Sequence, residues 1–327
     1  VEIKCGIEVG KDVTLDELRA QGYKAFYIAI GCQGGRLPGV PNETAEGTDF
    51  AVHFLSEALS HPETRLDGNV VVVGGGNVAI DCARTAHRFG PESVSMFCLE
   101  SRDTMPASKD EIREAEEENI RIEPSWGPKE VLVDEKGHVS GIVFKRCTST
   151  IDPETGAFSP KYDESETITV PADHIVFAIG QAIEWGGLLE GTGVTFSRGN
   201  YPKADGFTYQ TEDPSIFVGG DVFTGPKFVI NAIGAGHEAA ESLARYVSDN
   251  NVPQTIGRDR RFFKQMDTDD FKVDCYDEAG RQEPACEHLK DPGMSFEDPR
   301  KIFTEEQVRT ETSRCLSCGA TIVDENK

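Results

Sequence analysis

The 327-residue chain has no apolar run approaching the roughly 18 residues that a membrane span needs. Its first residues, VEIKCGIEVGKD, show no basic segment leading into an apolar core, so they do not read as a signal peptide. Basic residues are scarce beside acids, 33 Lys and Arg against 57 Asp and Glu, for a net charge of -24. Such a surface repels phosphate backbones, which excludes nucleic acid as a partner; the acidity otherwise reads as a solvating surface. Cysteine is present nine times, an odd number mostly scattered singly, which argues against a secreted disulfide framework and for a reducing cytoplasm. Cys82 and Cys98 fall within an expected helix and an expected strand, where a thiol acts as a small hydrophobe. There is no solenoid-type repeat and no low-complexity run.

What is present divides into alternating strand and helix signals, over a length that allows two or three domains. Residues 24–30 read as a buried strand closing on Gly31, followed by a long turn. A helix is predicted from Thr48, with Thr48 as its cap, and then a polar linker from His61. From Asn69 the pattern is strand, glycine loop, helix, strand, the second strand covering 93–99. A charged helix over 108–118 opens on a serine cap. Beyond Ile120, short alternating strands predict an antiparallel flap, and a buried strand then ends at Gly180. Irregular glycine-rich sequence leads to a short strand ending in Gly220-Asp221, and a long helix begins at Phe228. After about residue 250 the periodicity fades apart from a short helix near 304–310.

The glycine loop is Gly74-Gly75-Gly76-Asn77-Val78-Ala79, a match to G-x-G-x-x-A between a strand and a helix. Gly74 permits the tight turn, Gly76 lets the backbone approach a pyrophosphate, and Ala79 lets helix and strand pack closely. The free N–H groups of the helix start would face the phosphates. Ala79, Cys82, Ala83 and Ala86 form the expected buried stripe. The fingerprint's acid is Glu100, about twenty positions beyond Ala79. It can accept both adenosine ribose hydroxyls and repel a 2′-phosphate, which favours NAD. Ser101 and Arg102 follow it; an arginine can grip a phosphate, so NADP stays open, and Arg102 can equally face solvent or lie over the adenine. Asp81 reads as a helix N-terminal charge, and His87 as a surface residue.

Near the C-terminus stands Cys315-Leu316-Ser317-Cys318. A CxxC can bind zinc, serve an iron–sulfur cluster or be redox-active. Two ligands complete no metal site, and Cys275, Cys286 and His288 match no standard zinc spacing. Reduced, exposed cysteines are the plainer reading of Cys315 and Cys318.

Three strand ends, Ala178-Ile179-Gly180, its twin Ala29-Ile30-Gly31, and Gly220-Asp221, surround the glycine loop in order. With AFYIAIGCQGGRLPGVPNE, VVVGGGNVAIDCARTA, Met105–Ser108, IVFAIGQ and IFVGGDVFTGPKFVINAIGAGHEAA they cover roughly residues 1–250. The chain thereby resembles the two-dinucleotide-binding-domain flavoprotein reductases, which are pyridine nucleotide-disulfide oxidoreductase-like, in particular the glutamate synthase small-subunit-like branch. The resemblance implies an α/β fold: a Rossmann-like three-layer nicotinamide domain inserted in an incomplete FAD-type domain, with a largely irregular C-terminal tail. The expected boundaries are 1–62 and 205–250 for the FAD-type parts, 63–204 for the nicotinamide domain and 251–327 for the tail.

By the same resemblance Gly220, Asp221, Phe228, Val229 and Asn231 face FAD, Gly31 closes the FAD side, and Ala178, Ile179 and Gly180 close the NAD side. The branch usually carries arginines where Cys98-Leu99-Glu100-Ser101 stand here, which again favours NAD. It also carries an earlier strand–glycine–helix unit for the ADP half of FAD. That unit has no counterpart before Val1, so a truncated chain is expected and flavin retention stays open. The expected activity is hydride transfer between NAD(P)H and FAD and on to an iron–sulfur or ferredoxin-like partner, where any cluster resides. The cofactors carry such chemistry, so no catalytic acid, base or nucleophile is expected. A thioredoxin reductase role is disfavoured, because no CxxC lies in the nicotinamide domain. The alternatives are an NAD-binding module without flavin or turnover, and a docking subunit for a separate FAD protein. A homodimer stays open.

Overall fold

The computed structural model describes residues 1–248, 279–285, 296 and 300–315. Contacts divide the chain into two compact units, 1–257 and 258–327. In chain order the first unit holds α1 (Leu15–Ala20), β1 (Phe26–Ile28), β2 (Gly34–Gly35), β3 (Thr48–Phe50), α2 (Ala51–Ser60), β4 (Asn69–Val73), α3 (Asn77–Arg88) and β5 (Ser93–Cys98). It continues with α4 (Lys109–Glu117), β6 (Arg121–Pro124), β7 (Trp126–Val133), β8 (Val139–Ile151), β9 (Phe158–Pro171), β10 (His174–Phe177), β11 (Gln181–Ala182), β12 (Ile216–Val218), α5 (Asp221–Thr224) and α6 (Val229–Ser248). In the second unit, α7 (Glu305–Ser313) is capped by Thr304 and Gln307.

The run of valines in β4 is explained by burial on both faces. Period-2 alternation sends Val70 and Val72 to one side and Val71 and Val73 to the other. The five-stranded sheet is parallel throughout, in the order β3-β10-β4-β5-β6. On one face α3 and α4 press Ala79, Ile80, Cys82, Ala83, Ala86, Ile112 and Ala115 onto Val70, Val72 and Met96. On the other face lies the antiparallel sheet β7-β8-β9, whose Val131, Ile142 and Phe144 pack on Val71, Phe97 and Phe177. Phe97 and Phe144 stack with centroids 4.3 Å apart. Helices, parallel sheet and antiparallel sheet are thus three layers, and the flap is the third.

A second core surrounds β1 and β12, which lie far apart in the chain and pair in parallel through Phe26–Ile216, Tyr27–Phe217 and Ile28–Val218. Leu15, Ile28, Cys32, Ile183, Leu188, Leu189, Val194, Ile216 and Val222 fill it. Segments near two of the expected boundaries take part in these cores. Strand β3 pairs with β10 in the five-stranded sheet, so that sheet reaches back to Thr48, ahead of residue 63. Ile183, Leu188, Leu189 and Val194, all ahead of residue 204, pack in the β1–β12 core. The two crossings lie side by side, because β2 and β11 pair antiparallel through Gly35–Gln181 and Gly34–Ala182.

Thr48 is a further difference. The helix begins at Ala51 with no side-chain cap, and Thr48 is a strand residue. Pairing with Ile175 of β10 overrides the local capping signal. Ser108 does cap α4, accepting from the Glu111 N–H. Helix α4 is tied to α3 by ions: Glu118, just past its end, takes both Arg84 and Arg88 at 2.8 Å, and Glu114 takes Arg84 at 2.7 Å. His87 is half-buried and not a surface residue. Among the described residues no helix is long and apolar enough to cross a membrane.

Candidate functional site

At the C-terminal ends of β4, β5 and β10 a cleft of about 670 Å³ opens, the position where ligands lie in open α/β sheets. Its floor is the glycine loop. Gly74 has φ +150°, and a side chain there would collide with the carbonyl of Ala178 at the end of β10. Gly74 N–H donates to Phe97 O (2.8 Å) and Ala178 N–H to Val73 O (2.8 Å), so the three strand ends are fixed together. A Cβ on Gly76 would meet nothing within 4 Å, because this residue fronts the cleft.

Gly76 is also the N-cap of α3. It supplies no side-chain cap, and the first turn of α3 carries no acid. Helices α1 and α4 each have a capping hydroxyl and two acids in that turn. The start of α3 therefore keeps its positive end and its free N–H groups for an anion, and Gly76, Asn77 and Val78 line the cleft. Ala79 lies behind them, fully buried, where helix meets strand. The loop is held from its other side by Met105–Ser108. Ala107 N–H donates to Gly75 O (3.1 Å), and Ser108 N–H to Asn77 Oδ1 (2.8 Å).

Glu100 lines the cleft, half-buried. Its Oε2 lies 2.9 Å from where a Gly75 Cβ would stand, so the acid predicted from spacing does reach the glycine loop. Ser101 and Arg102 are not brought to the cleft. Ser101 closes a short 3-10 turn on Thr104, and Arg102 pairs with Glu116 of α4 at 2.6 Å. Ala178, Ile179 and Gly180 form the opposite lip. Arg36 covers Gly180: its N–H donates to Gly180 O (3.2 Å) and its Nε to Gln181 O (3.0 Å). Sequence reasoning missed Arg36, and it missed Trp126, Phe158, Pro160 and Tyr162, which the antiparallel sheet brings to the cleft wall.

No thiol is poised for nucleophilic work here. Burial pushes the Cys98 thiol up to about 12, and the neighbouring Glu100 carboxylate adds to the rise. Burial likewise raises Asp81, against the pull of Arg84.

The other predicted residues gather at the β1–β12 end. Gly31 follows β1, and Gly220 precedes Asp221, the first residue of α5. Asp221 Oδ1 accepts from the Lys227 N–H (3.1 Å), and Asn231 Oδ1 from the Phe228 N–H (3.2 Å). Phe228, Val229 and Ile230 at the start of α6 are exposed. Of the CxxC pair, Cys315 is an exposed free thiol, and Cys318 lies outside the described residues, as do Cys275, Cys286 and His288. Among the described residues no group of three or more His, Cys, Asp or Glu could hold a metal ion.

The chain is 33% identical over 334 residues to the NADP(+)-dependent formate dehydrogenase subunit beta of Moorella thermoacetica, covering 97% of this chain and 45% of that protein. It is 30% identical over 263 residues to the glutamate synthase (NADPH) small chain of Escherichia coli, covering 76% of this chain and 55% of that one. The chain thus spans about half the length of these relatives. Among solved structures, FprA of Mycobacterium tuberculosis in complex with NADPH matches with a TM-score of 0.58 at 18% identity, over 76% of this chain and 70% of that one. The thioredoxin reductase of T. acidophilum matches with a TM-score of 0.53 at 22% identity, over 69% and 66%. These two likenesses are of fold. The sequence pattern of the pyridine nucleotide-disulphide oxidoreductases matches residues 3–236, and the chain belongs to that family.

Proposed function

We propose that this chain is the NAD(P)H-binding part of a flavin-dependent oxidoreductase, which passes hydride between NAD(P)H and FAD, the electrons then going on singly to an iron–sulfur partner. The observation that carries the reading is the convergence of the glycine loop, the uncapped start of α3 and Glu100 in one cleft. The loop and the helix start would hold the pyrophosphate, and Glu100 the adenosine ribose. Gly180 and Arg36 close the far lip, where the nicotinamide end would emerge.

The residues at the β1–β12 end fit the flavin side of such a protein. The Asp221 carboxylate stands at a glycine turn, and the start of α6 has no acid in its first turn and exposes apolar side chains. Gly31, Gly220, Asp221, Phe228, Val229 and Asn231 would hold FAD, which when bound accepts a hydride and releases electrons singly. The task left to the protein is to orient the two rings and exclude water. We read the FAD-type domain as two pieces joined by the β1–β12 ladder, with residues from about 48 to about 182 inserted between them.

For the nucleotide, NAD is favoured by Glu100 at the glycine loop and by the engagement of Arg102 with Glu116. NADPH is the second reading, and it is favoured by the names of the relatives. Calorimetry of the purified chain with NADH and NADPH tests both. Binding of neither would remove the proposal, and tighter NADPH binding would remove the NAD assignment. Yellow protein that bleaches with NADH supports turnover in this chain. Colourless protein that still binds NADH makes it a binding module, and flavin appearing only with a co-purifying polypeptide makes it a docking subunit. The partner, its cluster and a cytoplasmic location belong to this proposal too.

A further inference from the structure

Strand β9 has an apolar face that joins no core. Phe158, Pro160 and Tyr162 alternate with Ser159, Lys161 and Asp163; the ladder to β8 slips between Lys161 and Phe158, and the three still open onto one cleft. Farther along, Ile168 and Val170 of the same strand pack into the core between the two sheets. Phe158, Pro160 and Tyr162 line the cleft instead. Phe158 is 63% exposed, a large aromatic at the end of an otherwise polar hairpin.

The change of role has a structural cause. Lys145 pairs with Thr167 and Arg146 with Asp163, so Glu164, Ser165 and Glu166 bulge out of the ladder. A bulge bends its strand and re-aims the side chains beyond it. Asp163 Oδ1 secures this one, accepting from the Ser165 N–H (2.9 Å) and hydroxyl (2.6 Å).

The aromatic face also has a definite place in the cleft. A side chain on Gly127 would meet the Tyr162 ring at 2.5 Å and Leu99 Cδ2 at 2.8 Å, so ring and leucine converge there. Leu99 precedes Glu100. Ser125 N–H donates to Glu100 O (2.8 Å), and Cys147 N–H donates to Ser125 O (2.9 Å). Cys147 is the ladder partner of Tyr162. Tyr162 is therefore anchored beside the end of β5, where the ribose acid stands. The Tyr162 ring is steadied by Lys145, whose Nζ lies 4.2 Å from its centroid and 2.7 Å from Glu164.

We propose that this face of β9 is the adenine platform of the cleft: the base of the bound dinucleotide lies against Phe158 and Tyr162 while Glu100 accepts its ribose hydroxyls. A purine offers a flat π face, and Phe158, Pro160 and Tyr162, following one another at every second residue, offer an apolar strip with an aromatic ring at each end to receive it. The inference rests on the reading of the cleft as a dinucleotide site.

Calorimetry of the full chain with 5′-AMP, nicotinamide mononucleotide, NADH and NADPH tests it. Phe158→Ala and Tyr162→Ala are each expected to weaken 5′-AMP and the preferred dinucleotide about tenfold, with nicotinamide mononucleotide changed less than twofold. Tyr162→Phe keeps the ring and is expected to bind like wild type. Phe158 is exposed, so its removal leaves the fold in place, and thermal melts check the Tyr162 variants. Wild-type affinity for 5′-AMP in both alanine variants would overturn the platform. So would a loss confined to nicotinamide mononucleotide. A wild-type chain that binds none of the four ligands would instead remove the dinucleotide reading beneath it.

Discussion

The carboxylate of Glu100 reaches back over Gly75: its Oε2 lies 2.9 Å from the point where a Cβ of residue 75 would be, and the Cys98 Cβ is equally near that point. The absence of a side chain at residue 75 is therefore what lets the acid of one strand end sit beside the loop of another. Gly75→Ala is expected to push Glu100 aside and weaken NADH binding about tenfold or more. Overpacking against Cys98 should also lower stability by about 1–3 kcal/mol. Calorimetry and a thermal melt read the two effects separately.

Arg102 follows Glu100 in sequence but pairs with Glu116. Removing it should therefore matter little to nucleotide choice. Arg102→Ala is expected to change NADH and NADPH affinities less than twofold, whereas Glu100→Arg should narrow or invert their order. Titrations of the two variants side by side check this, and a large loss of NADPH affinity in Arg102→Ala would contradict the placement.

Glu118 gives the fold a pH dependence. Burial alone would raise its carboxyl, but hydrogen bonds from Arg88 and Arg84 hold it below its ordinary 4.5. A carboxylate depressed in the folded state contributes stability that is complete above the unfolded value and lost as pH falls through the folded one. Wild type should therefore lose melting temperature as pH falls below about 4.5. Glu118→Gln should cost about 3 kcal/mol at pH 7, because the largely buried Arg88 loses its carboxylate partner and Arg84 is left with Glu111 and Glu114 alone. Its stability should also fall less steeply in acid than wild type. Melts from pH 7 to pH 3.5 measure both.

Phe144 joins the antiparallel sheet to the parallel one through its stack on Phe97, and it is fully buried. Phe144→Ala is expected to cost about 3–5 kcal/mol in chemical denaturation. Because the same sheet presents Trp126 and Tyr162 to the cleft, dinucleotide affinity should fall with it, although Phe144 does not line that cleft.

The glycine loop, its helix, the acid after the second strand and the antiparallel flap were legible from the sequence, because each rests on local spacing. Val70–Val73 read as a strand from their pattern, and Ala79, Cys82, Ala83 and Ala86 as a buried stripe, and all eight are buried. Thr48 was misread for the same reason: a hydroxyl ahead of an apolar helix is a local cap signal, and only pairing with β10 makes it a strand residue. Local spacing carries no information about which core Leu188 and Val194 enter.

By itself the sequence determined the strand, glycine loop and helix of residues 69–88 and the acid after the second strand, since strand, turn and helix signals act within a few residues. The tertiary structure alone decided that Arg102 turns to α4 and that β1 meets β12. It also decided that a bulge in β9 delivers Phe158 and Tyr162 to the cleft. Those outcomes depend on contacts between residues far apart in the chain, which only packing brings together.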